Sequence, residues 1–298
     1  MEMLALLVPG GTGQLGRELA ARAPGEYTVH APGSAELDIT NPGAVNEAVK
    51  TLVDGAGSPV VVNAAAYTAV DNAESDYTRA FALNADAPRV LAAVCSANGV
   101  PLVHVSTDYV FAGDATEPYR EDEPPAPRSV YGTTKAAGEA AVLGSGARAW
   151  IVRTAWVYGA HGGNFVKTMA RLAETHDTLS VVDDQRGSPT WTGDLADGLL
   201  ELAARVAGDD PPTAKVLHAT GGGETTWFGF AQAVFTELGL DPARVRPCGS
   251  DEFPRPAPRP SYSVLSDQAW RGSGLTPLRP WREALTAAFA QDASAYRP

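Results

Sequence analysis

The sequence predicts an α/β protein built on a doubly wound parallel sheet with a smaller C-terminal region, and three observations predict it. Short unbroken apolar runs alternate with longer amphipathic segments along the first half of the chain. A glycine-rich turn, GGTGQLG (10–16), joins the first apolar run to the first amphipathic segment. Helix start and stop signals, Asn41-Pro42 and Asn98-Gly99, fall at the junctions. A parallel strand is covered on both faces, so it reads as a continuous apolar run rather than an alternation.

In order, Met3 to Val8 is the first strand, and the glycine turn opens a helix ending near Arg22. Residues 27–31 form a second strand, and Asn41-Pro42 starts a helix that runs to about Val53. Val60-Val61-Val62-Asn63 is a buried strand, followed by one long helical region over 72–98. Leu102 to Ser106 is the next strand, then come a loop with Pro118, Pro124, Pro125 and Pro127, a helix over 129–143 and a strand over 149–154. Past residue 156 the loops lengthen: helix 164–175, strand 179–182, helix 193–206, strand 215–219 and helix 226–239. The stretch 241–262 holds six prolines, yet apolar and helical residues resume at Trp270 and over Trp281 to Phe289, which predicts an ordered loop wrapping a site. Residues 1–155 read as a dinucleotide-binding unit. Residues 156–298 read as mainly substrate-binding, with some segments returning to the sheet.

Composition narrows the function. Among 298 residues acidic side chains number 35 and basic ones 23, a net charge of −12 with only four lysines, so nucleic acid is not an expected partner. Two cysteines, Cys95 and Cys248, are too few for a disulfide framework and fit a reducing cytoplasm. The six-residue apolar opening follows no positive charge and runs into glycines, so neither a signal peptide nor a membrane span is expected.

Two patterns carry chemistry. Gly10, Gly11, Gly13 and Gly16 satisfy both GxGxxG and GxxGxxG, letting backbone N–H groups and a helix N-terminus approach a pyrophosphate, as in a Rossmann-type unit. Glycines also serve tight packing at such turns, so position matters, and this one follows the first strand of a βαβ unit. Tyr131 and Lys135 stand four apart on a predicted helix and share a face. With nine tyrosines and four lysines a chance pair at this spacing arises roughly one time in eight. Here the pair follows the fourth strand, where short-chain dehydrogenases carry it. A phenol is a poor acid or base at neutral pH until a neighbouring ammonium favours its anion, which Lys135 can supply. Thr107 closes the preceding strand with a hydroxyl able to polarise a carbonyl beside Tyr131, whereas Ser106 is as well read as a turn cap. His104, inside a strand, reads as a core histidine.

GGTGQLG, VNAAAYTAVDNAE (62–74), STDYVFAG (106–113), YGTTKAAGE (131–139), RTAWVYG (153–159), GGNFVKTM (162–169), DDQRGSPT (183–190), TTWFGFA (225–231) and APRPSYS (257–263) together resemble the dTDP-4-dehydrorhamnose reductase family of extended short-chain dehydrogenases. The resemblance implies catalysis by Thr107, Asp108, Tyr131 and Lys135. It implies cofactor contacts from Gly10, Gly13, Gln14, Leu15, Gly16, Asp38, Ile39, Ala64, Ala65, Ala66, Tyr131 and Lys135, and a dTDP-sugar lined by Thr68, Val70, Trp156, Asn164 and Arg259. The implied reaction is reduction of the C4 ketone of a dTDP-4-keto-6-deoxyhexose by NADPH or NADH, first of all dTDP-4-dehydro-β-L-rhamnose. The alternatives are the 4-ketoreductase of another dTDP-deoxysugar and a non-catalytic dinucleotide-binding subunit. Some members join a dimer through metal-binding glutamates. Here Gly193 replaces one and the last helix has only Glu283, so no metal and a monomer or weak dimer are expected. His30-Ala31-Pro32-Gly33-Ser34, after the second strand, offers neither the acid for a ribose 2′-hydroxyl nor an arginine for a 2′-phosphate. On that ground NADPH is expected to be accepted at least as well as NADH, with Ser34 a possible phosphate contact.

Overall fold

The computed structural model describes residues 3–297. Six parallel strands form the central sheet: β1 (Leu4–Leu7), β2 (Thr28–His30), β3 (Ser58–Asn63), β4 (Leu102–Thr107), β5 (Ala149–Thr154) and, after the short β6 (Val157–Tyr158), β7 (Leu179–Val182), β8 (Arg186–Gly187) and β9 (Thr190–Trp191), the late β10 (Val216–His218). Their order is β10-β5-β4-β3-β1-β2. The order reverses at β1, which has β2 on one side and β3 on the other, so a crevice opens beyond the C-terminal ends of β1 and β3.

Alternation along the strands feeds two cores. Leu4, Leu6, Val60 and Val62 face one layer, where α1 (Gln14–Arg22) packs on α8 (Thr192–Ala207). Leu7, Val61 and Ile151 face the other, covered by α2 (Pro42–Asp54), α5 (Ala87–Asn98) and α6 (Val130–Leu143). A third apolar cluster, centred on Tyr158, Phe230, Val234 and Leu285, holds α7 (Phe165–Thr175), α9 (Trp227–Glu237) and α10 (Trp281–Asp292) together.

Two predicted elements are revised. The region 72–98 is not one helix but α3 (Val70–Ala73), α4 (Tyr77–Phe81), a π-helical turn (Ala82–Asp86) and α5. Pro88 has no N–H for the Asn84 carbonyl, so the regular ladder fails there. That carbonyl instead presses on α6 at Gly138, where a Cβ would lie 2.0 Å from it. The Asn84 side chain ties Tyr67 (N–H at 2.8 Å, C=O at 3.0 Å) to Thr134 Oγ1 at 3.0 Å. The second revision is in the proline-rich stretch, where β11 (Val245–Cys248) pairs in parallel with β7. Pro247 argues against a strand in sequence but is tolerated in a two-stranded edge pair.

Candidate active site

The glycine loop is shaped by close approaches. Gly10 has φ +86°, and a Cβ there would lie 2.7 Å from Ala65 N; one on Gly16 would lie 2.3 Å from the Gly10 carbonyl oxygen. Ala64 N–H donates to the Pro9 carbonyl at 3.1 Å, so the Ala64–Ala66 segment leaving β3 lies against the loop leaving β1. The N-cap of α1 is Gly13, which offers no side-chain cap, so the first-turn N–H groups face the crevice without an internal anion. This cradle, admitting backbone but no side chain, fits the pyrophosphate of a dinucleotide. Gln14 joins the two halves of the molecule: its Oε1 accepts from Asn164 Nδ2 at 3.1 Å and its Nε2 donates to the Gly163 carbonyl at 3.4 Å. Leu15 packs against the core on the α1 and α8 side. Ile39 is buried in the opposite core, and Asp38 Oδ1 accepts from Thr40 N–H at 2.9 Å and Oγ1 at 2.7 Å, which holds its carboxyl below the usual range.

The second-strand loop does contain an acid. Glu36 folds back so that its Oε2 accepts the Gly33 N–H at 2.9 Å. It stands six residues past β2 and its carboxylate is occupied by the Gly33 N–H, so it does not alter the expectation that NADPH is accepted.

Thr107, Asp108, Tyr131 and Lys135 converge at the C-terminal end of β4. Thr107 ends the strand and caps the 3₁₀ turn Asp108–Val110; its Oγ1 accepts from Tyr109 N–H at 3.3 Å and donates to Asp108 Oδ1 at 2.9 Å. Burial pushes the Asp108 carboxyl up to about 6, against hydrogen bonds from Ser263, Thr107 and the backbone. Ser129 caps α6 through Gly132 N–H at 3.0 Å, setting Tyr131 on the first turn. The Tyr131 ring packs with Ala73, Ala80 and Val70 and meets the Tyr109 ring edge-on at 5.5 Å. Burial pushes its phenol up to about 12, the Thr107 hydroxyl acting against this and the Asp108 charge adding to it. Lys135 donates to the Val105 carbonyl at 2.7 Å, and burial lowers its ammonium to about 8. In this arrangement the ammonium serves the strand end, and Tyr131 is a neutral phenol at neutral pH. Ser106 is buried in β4, its Oγ without a hydrogen-bond partner among the described residues. His104 is fully buried, its Nδ1 3.0 Å from Asn63 Nδ2, and burial with the Lys135 charge keeps it neutral.

The predicted sugar contacts lie around this centre. Thr68 is exposed and Val70 half-buried on the segment after β3. Arg259 donates to the Ala257 carbonyl at 3.0 Å and to Asp71 Oδ2 at 2.7 Å; with Tyr109, Ser129 and Pro260 it lines a cavity of about 100 Å³. The proline-rich loop thus does wrap the centre. Trp156 adopts φ +48°, unusual for a non-glycine residue, and stacks on Trp227 with ring centres 3.5 Å apart. Asn164 caps α7 through Lys167 N–H and donates to Gln14 and Gly159, so its amide is already engaged. Sequence reading missed Trp227, Glu36 and Glu139; only Glu139 left a signal, the spacing of four after Lys135. At Gly193 a Cβ would lie 2.6 Å from Arg22 Nη2, so that space is taken by a cation that pairs with Glu18 at 2.9 Å and Asp197 at 3.0 Å. No helix among the described residues is long and apolar enough to cross a membrane.

The chain is 52% identical over 289 residues to a dTDP-4-dehydrorhamnose reductase of Streptomyces griseus, covering 95% of this chain and 92% of that one. It is 50% identical over 294 residues to a probable dTDP-4,6-dihydroxy-2-methyloxan-3-one 4-ketoreductase of Streptomyces antibioticus, covering 98% and 97%. Among solved structures, the dTDP-4-dehydrorhamnose reductase of Bacillus anthracis in complex with NADP superposes with a TM-score of 0.90 at 35% identity, over 96% of this chain and 99% of that one. Residues 3–294 match the pattern described as RmlD substrate binding domain, and the chain belongs to that family.

Proposed function

We propose that this enzyme reduces the C4 ketone of a dTDP-4-keto-6-deoxyhexose with NADPH or NADH, and that its substrate is dTDP-4-dehydro-β-L-rhamnose, giving dTDP-β-L-rhamnose. The observation that carries this reading is a neutral, buried phenol, Tyr131, beside the Thr107 hydroxyl, on the same sheet edge as an uncapped glycine loop. NAD(P)H supplies the hydride that C4 receives. Tyr131 then gives its proton to the developing alkoxide, and Thr107 holds that oxygen by exchanging its present acceptor, Asp108, for it. Lys135 binds the nicotinamide ribose and places positive charge beneath the site. Gly10, Gly13, Gln14, Leu15, Gly16, Asp38, Ile39 and Ala64 to Ala66 line the dinucleotide. Thr68, Val70, Trp156, Asn164 and Arg259 line the nucleotide sugar, the planar Arg259 fork suiting a diphosphate.

In this reading residues 1–155 hold the cofactor and 156–298 mainly the sugar, in a cytoplasmic monomer or weak dimer. The two cysteines, buried Cys95 and half-buried Cys248, are free, as a reducing compartment favours. A second reading, the 4-ketoreductase of another dTDP-deoxysugar, is favoured by the 50% identity to the Streptomyces antibioticus protein.

Tyr109 sets the boundary with dehydration. Eliminating water between C5 and C6 needs an acid and a second, basic carboxylate, and Tyr109 stands where the sugar-nucleotide dehydratases carry that carboxylate. Burial and the Asp108 charge push its phenol far above neutrality, so it cannot act as the base. Incubation with dTDP-glucose is expected to give no 4-keto-6-deoxy product, whereas a preformed 4-keto sugar consumes reduced cofactor one for one. Conversion of dTDP-glucose without net cofactor change would refute the reductase reading.

A further inference from the structure

Charged groups that the reaction does not use gather directly behind it. Tyr131, Lys135 and Glu139 occupy successive turns of α6, four residues apart, and share one face of the helix. Glu139 is gripped by Arg153 of β5, whose Nε lies 3.0 and 3.2 Å from the two carboxylate oxygens and whose Nη2 lies 2.7 Å from Oε2. Both side chains are only 3% exposed. Arg153 is fixed in turn: its guanidinium stacks over the Phe111 ring at 4.8 Å, and its Nη1 lies 3.4 Å from His218 Nε2. His218 Nδ1 faces the Ser266 carbonyl at 2.9 Å. In the sheet Arg153 stands opposite Ser106, next to the Val105 carbonyl that receives Lys135.

We propose that Glu139, gripped by Arg153, is a positioning residue that keeps the Lys135 side chain charged and seated at the end of β4. The inference rests on the reading above, in which Lys135 serves the reaction. An ammonium taken out of water beside a carbonyl keeps its proton only if a nearby anion offsets the lost hydration. The two-pronged guanidinium grip fixes the plane of that carboxylate in a buried place. The balance is visible at Lys135, where burial lowers the ammonium and Glu139 acts in the opposite direction. Tyr131 and Glu139 share the helix face of Lys135, and His104 on β4 lies within reach of its charge; the other elements packed against α6 carry Asp71 on α3, Glu74 after it, whose Oε1 accepts the Val130 N–H, Asp108 and Tyr109 after β4, and Arg153 on β5. His104 is neutral, and Arg79, Asp86 and Arg89 on the elements packed against α6 are exposed.

The test is the pH dependence of kcat/KM. In the wild type the value is expected to fall as pH rises through about 8, where Lys135 would lose its proton. Glu139→Gln should move this alkaline limb down by about one pH unit or more, and Glu139→Asp should return it toward the wild-type position. Should Glu139→Gln alone fail to fold, the double variant Glu139→Gln, Arg153→Met removes both buried charges and should show the same lowered limb. A limb that stays at the wild-type pH in either variant, with only its height reduced, would overturn the proposal. Lys135→Met in the same assay separates the two levels. Wild-type-like turnover there removes the reading of Lys135 itself, whereas lost turnover with an unmoved limb in Glu139→Gln overturns the role of Glu139 alone.

Discussion

Tyr131→Phe is expected to lower turnover by about 10²–10⁴-fold while the dissociation constant for NADPH changes by no more than about twofold. The ring is held by Ala73, Ala80 and Val70 and by the Tyr109 edge, and phenylalanine keeps all of those contacts. What disappears is a hydroxyl that burial keeps protonated at neutral pH, and so the proton that the alkoxide must receive. The loss therefore belongs in kcat, measured at saturating cofactor, with fluorescence titration of NADPH as the control. Turnover close to wild type would end the assignment of Tyr131 as the acid.

Arg153→Met is expected to cost about 3–5 kcal/mol in urea denaturation, the largest stability loss foreseen for a substitution outside the reacting groups. Removing the guanidinium leaves the Glu139 carboxylate 3% exposed and without its three hydrogen bonds to Arg153, and the Phe111 ring loses the cation stacked on it. The cost arises from the orphaned charge rather than from the strength of the pair. Adding Glu139→Gln to Arg153→Met should therefore recover most of the stability. A loss below about 1 kcal/mol for the single variant would mean that water or another cation reaches Glu139.

Much of the fold was legible because parallel strands buried on both faces write themselves as apolar runs, as Leu4 to Leu7 and Val60 to Val62 do. Pro88 marked a break within 72–98, but the π-helical form that the break takes was not legible. It depends on Asn84 meeting Tyr67 and Thr134, 17 and 50 residues away, and on the bare Cα of Gly138. Val245–Cys248 was hidden by Pro247, whose penalty vanishes in an edge pair that only β7 creates.

At the site, the chemistry-bearing types and spacings of Thr107, Asp108, Tyr131 and Lys135 were readable because they crowd one strand end and one helix turn. Partners set by tertiary register were not. Lys135 faces Val105, 30 residues earlier, and Arg153 reaches Glu139 only because β5 lies beside β4. Glu36 escaped notice because it acts through Gly33 rather than from the strand end. Arg22 could not be foreseen in the space beside Gly193, since α1 and α8 are 170 residues apart in the chain and adjacent only in the fold.

The most direct test of the central claim uses NADPH carrying two deuteriums at C4 of the nicotinamide with dTDP-4-dehydro-β-L-rhamnose, the product being read by NMR. The account predicts one deuterium on C4 of the sugar for each cofactor oxidised, with dTDP-β-L-rhamnose as the product. A ketone returned unreduced, here and with every other dTDP-4-keto sugar tried, while NADPH still binds, would contradict it and leave a dinucleotide-binding subunit in place of an enzyme.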